Sequence, residues 1–209
     1  MNQLISKSSN HQINMRTIIF ILSGITLFVL ITVMACNNHV KDNQLTTKTD
    51  SSTMVARGRY LVNAVGCDDC HSPKRMGAQG PEIIPELRFS GFPHDGKLPP
   101  FDSTQVAKGW VLMAPDLTSA VGPWGASFAA NITSDETGIG TWSEQQFLKA
   151  IREGKLKGLD GSRPILPPMP WMTYKNLNDE DLKAIFAFLK TTRPVENVVP
   201  APRRFADIK

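Results

Sequence analysis

Cys67-Asp68-Asp69-Cys70-His71 constrains this chain more than any other five residues in it. On one helical turn, positions three and four apart share a face. Cys67 and Cys70 therefore present sulfur side by side, with the His71 imidazole carried beneath them. That arrangement suits the two vinyl groups along one porphyrin edge and the iron at its centre, the C-x-x-C-H pattern of c-type haem attachment. Redox dithiols and zinc ribbons also use C-x-x-C. A zinc site needs a second ligand pair, and no cysteine is left to supply one. A dithiol site wants a βαβ context, and the Gly- and Pro-rich sequence after His71 offers none. Cys67, Cys70 and His71 are expected to hold one covalent haem c, with His71 on the iron.

The N-terminus points to export. From Thr17 to Val33 the chain is almost wholly apolar, follows Arg16, and ends Val33-Met34-Ala35-Cys36. A basic start, an apolar run and a small residue at the cut point make an export signal, here residues 1–35. Cys36 after Ala35 fits a lipoprotein signal; an uncleaved membrane anchor is the alternative, since the run is near the lower limit for a span. Both readings put the rest of the chain outside the cytoplasm, on the periplasmic or outer-surface side, tethered to a membrane. Met15-Arg16 makes a more typical signal start than Met1. With Cys36 carrying lipid and Cys67 and Cys70 carrying haem, no cysteine remains for a disulfide. Of the 23 Lys and Arg, Lys7 and Arg16 precede the apolar run, leaving 21 against 19 acidic residues. So small an excess does not suit nucleic-acid binding.

Residues 36–53 are polar and read as a flexible tether, with His39 solvated in it. The expected folded domain is residues 54–195. Ser52 or Thr53 caps a helix running from about Met54 to Ala64, stopped by Gly66, with Gly58, Leu61 and Val62 on its apolar side. Eight prolines and seven glycines between residues 73 and 130 break any helical pattern. This stretch is expected to be an ordered, irregular wrap, with a short strand at Gly109–Ala114 that pairs in a small hairpin. Docking of a partner protein is the sharper reading of it. Thr141…Glu144 or Ser143…Gln146 caps the next helix, which ends at Gly154 and faces inward with Phe147, Leu148 and Ile151. Asn178 caps the last helix, whose stripe is Leu182, Ile185, Phe186 and Leu189. Residues 196–209 read as a loosely packed tail.

A haem iron held by His71 has a sixth position, and its occupant decides the chemistry. The candidates are Met76, Met113, Met169, Met172 and His94. Met169 stands out because Pro168 and Pro170 fix the backbone on both sides, so a rigid loop presents its sulfur without an ordering cost at each redox cycle. Met172, three residues on, is its main rival. His94 sits in a turn, where a solvated ring is the ordinary state.

Arg57-Gly58-Arg59-Tyr60-Leu61-Val62 leading to the cysteine motif, Asn131-Ile132-Thr133 with Thr137-Gly138-Ile139-Gly140-Thr141-Trp142-Ser143, Pro168-Met169-Pro170-Trp171 and the final helix occur in one order. In this the chain resembles class I c-type cytochromes that serve as electron-transfer subunits of exported bacterial dehydrogenases, such as membrane-bound alcohol dehydrogenases. The resemblance implies an all-α cytochrome c fold, interrupted here by the long Pro/Gly-rich insertion. It also implies thioethers at Cys67 and Cys70, iron bonds from His71 and Met169, and a first helix crossing the last, with Gly58 and Tyr60 meeting the region of Phe186 and Leu189. In such proteins a backbone carbonyl, expected near Pro73, takes the histidine's other nitrogen. Many relatives carry two or three haem modules, whereas these 209 residues contain one C-x-x-C-H.

The expected function is one-electron transfer to and from a redox partner, a dehydrogenase, an oxidase or another cytochrome, with no bond made on a substrate. The basic residues Lys149, Arg152, Lys155, Lys157 and Arg163 either steer an acidic partner or form a solvated face. The competing function is a haem sensor with a labile or open sixth position. A peroxidase-like enzyme has no acid–base residues in the sequence to recommend it.

Overall fold

A computed structural model describes residues 51–208. The expected export signal, Cys36, His39 and most of the expected tether lie outside those residues. Helix α1 covers residues 51–64, so Ser52 and Thr53, expected as caps, are already helical. None of the helices among the described residues is long and apolar enough to cross a membrane.

Three helices make the main core. Helix α1 turns Leu61 and Val62 inward, 6% and 0% exposed. Helix α4, Glu144–Glu153, begins at Ser143, whose hydroxyl accepts the Gln146 N–H at 3.1 Å. Of the two capping frames the sequence offers, that hydroxyl defines the later one. Helix α6, Asp179–Leu189, begins at Asn178, whose side chain accepts the Asp181 N–H at 2.7 Å. The acidic Asp179, Glu180 and Asp181 lie in its first turn, where the helix dipole favours them. Leu182, Ile185, Phe186 and Leu189 are buried as their spacing requires. Each such apolar side chain contributes roughly 1.5–3 kcal/mol on burial.

Gly58 is where α1 crosses α6. A Cβ at that position would collide with the carbonyl oxygen of Ala184 and with Phe188, so the crossing is possible only with no side chain there. Arg57 locks the same crossing with two hydrogen bonds to Asp181, at 2.8 and 3.2 Å. Tyr60, expected at the crossing, is instead 62% exposed and lies under the Arg57 guanidinium. Being two residues from Gly58, it falls on the helix's other side, because positions i and i+2 do not share a face.

The insertion is better built than an irregular wrap. Strands β1, Lys74–Gly77, and β2, Gly80–Ile83, form an antiparallel hairpin turning at Ala78-Gln79. Strands β3, Leu112–Met113, β4, Ser119–Gly122, and β5, Gly125–Phe128, make a second antiparallel sheet in that order. The expected short strand is present as β3. All-α is therefore too narrow a description: the cytochrome c helices carry two small sheets. Strand β4 is buried at every position, so it shows no in–out alternation to read. Its partner β5 is mostly small residues with little strand propensity. The helix α3, Ser103–Ala107, capped by Asp102, leans on this sheet, and Val106, Val121 and Ala126 form a second small core with Phe101, Leu112 and Phe128 around it.

The C-terminal stretch is not loose. Phe205 and Ile208 complete the second core, and Arg203 bridges backbone to backbone with Ala126. Asn197, 6% exposed, donates to the carbonyls of Ser90 and Phe92 at 2.7 and 2.9 Å and accepts the His94 N–H at 2.8 Å. An isolated polar side chain in a proline-rich tail carries no periodic signal, which is why its burial is illegible in sequence.

Candidate haem-binding site

The cysteine motif is one short helix, α2, Cys67–His71, started by Gly66 in the left-handed region at φ 75°. That φ lets the chain leave α1 and turn at once into α2 without strain. The end of α2 is closed by Lys74, whose ammonium donates to the carbonyls of Asp69 and Ser72 at 2.7 and 3.0 Å. A cation there also suits the negative end of the helix dipole. Lys74 reaches the Asp116 carbonyl as well, at 3.0 Å, tying the motif to the insertion. Asp68, between the two cysteines, is tied to Arg88 and Ser72. It accepts from the Arg88 guanidinium at 2.9 and 2.6 Å and from the Ser72 hydroxyl at 2.7 Å. Burial pushes its carboxyl up, but those bonds more than reverse the effect and leave it below the ordinary carboxylate value.

His71 is 8% exposed, and its Nδ1 lies 2.7 Å from the carbonyl oxygen of Ala130. A carbonyl only accepts, so Nδ1 carries the hydrogen and Nε2 keeps its lone pair. Burial pushes the pKa of the ring below the ordinary histidine value, against the opposing pull of the Ala130 bond and Asp68. The imidazole is neutral near pH 7, with one nitrogen committed and the other available to a metal. The accepting carbonyl is not near Pro73, as expected, but 59 residues further along the chain. The carbonyl of Pro73 accepts the Ile84 N–H at 3.0 Å instead, and that of His71 itself the Gly91 N–H at 2.8 Å.

Cys67 and Cys70 are both half-buried. Burial, with Asp68 and Asp69 adding to it, pushes the Cys67 thiol up to about 12. Cys70 is raised for the same reasons, burial first and then Asp69. A redox dithiol works through a depressed thiol pKa, and this environment does the opposite. Nor does any cluster of three or more His, Cys, Asp or Glu among the described residues suit a metal ion. The donor set that remains is two neutral thiols beside a buried imidazole with a free Nε2, and it fits covalent haem.

Of the methionine candidates, Met169 is half-buried and packs on the main core, as Cys67 does. Met76, Met113 and Met172 are 71%, 38% and 64% exposed, and His94 is exposed in its turn. The Met172 side chain stands on the short helix α5, Trp171–Tyr174, directed to solvent. Two contacts here had no sequence signature. The Tyr174 hydroxyl donates to the Val65 carbonyl at 2.7 Å, and the Ser127 hydroxyl to the Pro167 carbonyl at 2.6 Å. Backbone carbonyls carry no residue-type signal, so nothing marked Ala130, Val65 or Pro167 in advance. Most of the basic run is engaged in ion pairs. Lys149 and Lys155 hold Asp160 down to about 2, and Arg152 pairs with Asp179 at 2.5 Å.

The helix crossing, the buried imidazole and the paired thiols define a c-type cytochrome of class I architecture. A family model described as cytochrome c matches residues 55–193, and the chain belongs to the cytochrome c family, whose members carry covalently bound haem c. It is 33% identical over 139 residues, 66% of this chain, to the gluconate 2-dehydrogenase cytochrome c subunit of Pantoea cypripedii, covering 23% of that protein. Over 184 residues, 87% of the chain, it is 27% identical to the fructose dehydrogenase cytochrome subunit of Gluconobacter japonicus, covering 30% of it. To the cytochrome c subunit of the quinone alcohol dehydrogenase of Gluconobacter oxydans it is 38% identical over 82 residues, 38% of the chain and 16% of that subunit. The chain thus spans less than a third of the length of the curated relatives it matches.

Proposed function

We propose that this protein is a single-haem electron carrier serving a bacterial dehydrogenase, with Cys67 and Cys70 as the covalent attachments and His71 and Met169 as the axial ligands. The observation that carries this reading is His71: buried, neutral, its Nδ1–H held by Ala130, and its Nε2 free. When bound, haem iron supplies a one-electron Fe(III)/Fe(II) couple.

Everything else is done by this chain. The Ala130 carbonyl fixes the tautomer and ring plane of His71, and an N–H bond of that kind raises the basicity of the ligating nitrogen. The prolines around Met169 hold its thioether in place, and a thioether favours ferrous iron. His71 is buried and Met169 packs on the main core, so little has to reorganise around them when the charge changes. The redox partner suggested by the relatives' names is a dehydrogenase catalytic subunit. The membrane-tethered, exported setting rests on Arg16, the apolar run 17–33 and Ala35-Cys36.

The visible spectrum tests the ligand set. The oxidised protein is expected to show the far-red sulfur-to-iron band, to lose it in Met169→Ala and to keep it in Met172→Ala. The reverse pattern makes Met172 the ligand. Stoichiometric carbon monoxide binding by the reduced wild-type protein at neutral pH would instead mean an open sixth position and a sensor rather than a carrier.

A further inference from the structure

One short stretch of chain contacts both His71 and the methionine loop. The Ala130 carbonyl accepts His71 Nδ1–H, and three residues earlier the Ser127 hydroxyl donates to the carbonyl oxygen of Pro167 at 2.6 Å. Pro167 stands two residues before Met169. Ser127 is 7% exposed on β5, and its oxygen also accepts the Trp124 indole N–H at 3.2 Å. With the indole occupying a lone pair, the hydroxyl hydrogen is left to point at Pro167.

The methionine loop needs an outside donor for a reason written in its composition. Pro164, Pro167, Pro168 and Pro170 have no N–H. Its backbone bonds run from Ile165 to Gly154 at 2.7 Å, from Met169 to Leu166 at 3.3 Å, from Trp171 to Met169 at 2.9 Å, and from Thr173 and Tyr174 to Pro170 at 2.9 and 3.2 Å. Proline fixes φ within the loop, but it does not fix where the loop sits as a body. The Ile165–Gly154 bond ties its start to the end of α4, and the bond from β5 to the Pro167 carbonyl ties its middle, next to Met169, to the insertion.

We propose that Ser127, oriented by Trp124, is a positioning residue for Met169. It anchors the methionine loop to the insertion, and because Ala130 of the same stretch holds His71, residues 127–130 act as one bracket for both axial ligands. This rests on Met169 as the sixth ligand. It also gives the insertion between residues 73 and 130 a role in setting the iron's coordination rather than only covering it.

The test uses the haem-loaded full chain and the alkaline loss of the far-red band in the ferric state. Ser127→Ala removes the donor to the part-buried Pro167 carbonyl, and loss of that one bond raises the population without the sulfur–iron bond about tenfold. The midpoint of the alkaline loss then moves down by about one pH unit, and carbon monoxide uptake by the ferrous protein rises in step. Ser127→Thr keeps a hydroxyl and is expected to keep the wild-type midpoint. Val121→Ala weakens the second core without touching the bond and is expected to leave the midpoint in place. Should Ser127→Ala fail to fold, Trp124→Phe carries the test, with a smaller shift in the same direction. The proposal is overturned if whichever of those two variants is measured keeps the wild-type midpoint, or if Ser127→Thr or Val121→Ala moves it as far as Ser127→Ala. A far-red band that survives Met169→Ala overturns the ligand reading and this proposal together. A band abolished by Met169→Ala but unmoved by Ser127→Ala overturns this proposal alone.

Discussion

Tyr174 donates its hydroxyl to the carbonyl oxygen of Val65 at 2.7 Å, joining the helix after the methionine loop to the residue two before Cys67. The cysteine motif and the methionine loop, in segments more than a hundred residues apart, are pinned to each other there. Burial pushes the Tyr174 phenol above its ordinary pKa, so the donor is intact at neutral pH. Tyr174→Phe keeps the ring and removes the bond. It is expected to destabilise the protein by about 1 kcal/mol, measured by denaturant unfolding of the haem-loaded form.

Gly58→Ala introduces one methyl group where the Ala184 carbonyl already sits. Backbone cannot rotate away as a side chain can, so the two helices must separate. An overpacked site of this kind costs about 2–3 kcal/mol. The same substitution at Gly80, whose Cβ position has nothing near it, costs only the strain of its positive φ. A thermal melt in which the two variants behaved alike would rule out the crossing as the cause.

Arg88→Gln tests the charge pairing behind the cysteine motif. The folded-state pKa of Asp68 lies below the ordinary value, taken as about 3.9 for the unfolded chain. Its contribution is then complete above about pH 4 and is lost as pH falls through the folded value. Without Arg88 burial acts with less to oppose it, so protonation starts at higher pH. Acid unfolding, followed by circular dichroism, is expected at higher pH in the variant, with at most about 1 kcal/mol lost at neutral pH.

Asn197→Ala leaves the Ser90 and Phe92 carbonyls and the His94 N–H without their partner. Unsatisfied buried groups cost about 1–3 kcal/mol each, and solvent relieves part of this near the exposed His94. A loss of about 3 kcal/mol is expected, and protease cleavage near the C-terminus should accelerate. A truly loose tail would show neither.

Cys70→Ala leaves one sulfur to hold the haem and Cys67→Ala the other. Each single variant is expected to retain haem through a denaturing gel, and the double variant to release it into acidified organic solvent. Release by either single variant would show that the other sulfur is not bonded.

The cytochrome helices were legible because their signals are local. Asn178 and the acidic turn after it, the stripe Leu182-Ile185-Phe186-Leu189 and the C-x-x-C-H spacing each act within one or two helical turns. Of the insertion only the short strand β3 was legible, because β4 is buried at every position and so lacks alternation, and prolines that break helices here mark turns and loops. Tyr60 was misplaced because a family-level expectation of a helix crossing does not fix which side of the helix each neighbour faces.

By itself the sequence determined the candidate donors: two sulfurs, one imidazole, and a methionine held between prolines, since these are properties of residue type and spacing. Only the tertiary structure decided what holds those donors still. The Ala130 carbonyl on His71, Val65 on Tyr174 and Pro167 on Ser127 are bonds from side chains to backbone across 59, 109 and 40 residues. A carbonyl is the same group in every residue, so its role depends on where the folded chain carries it.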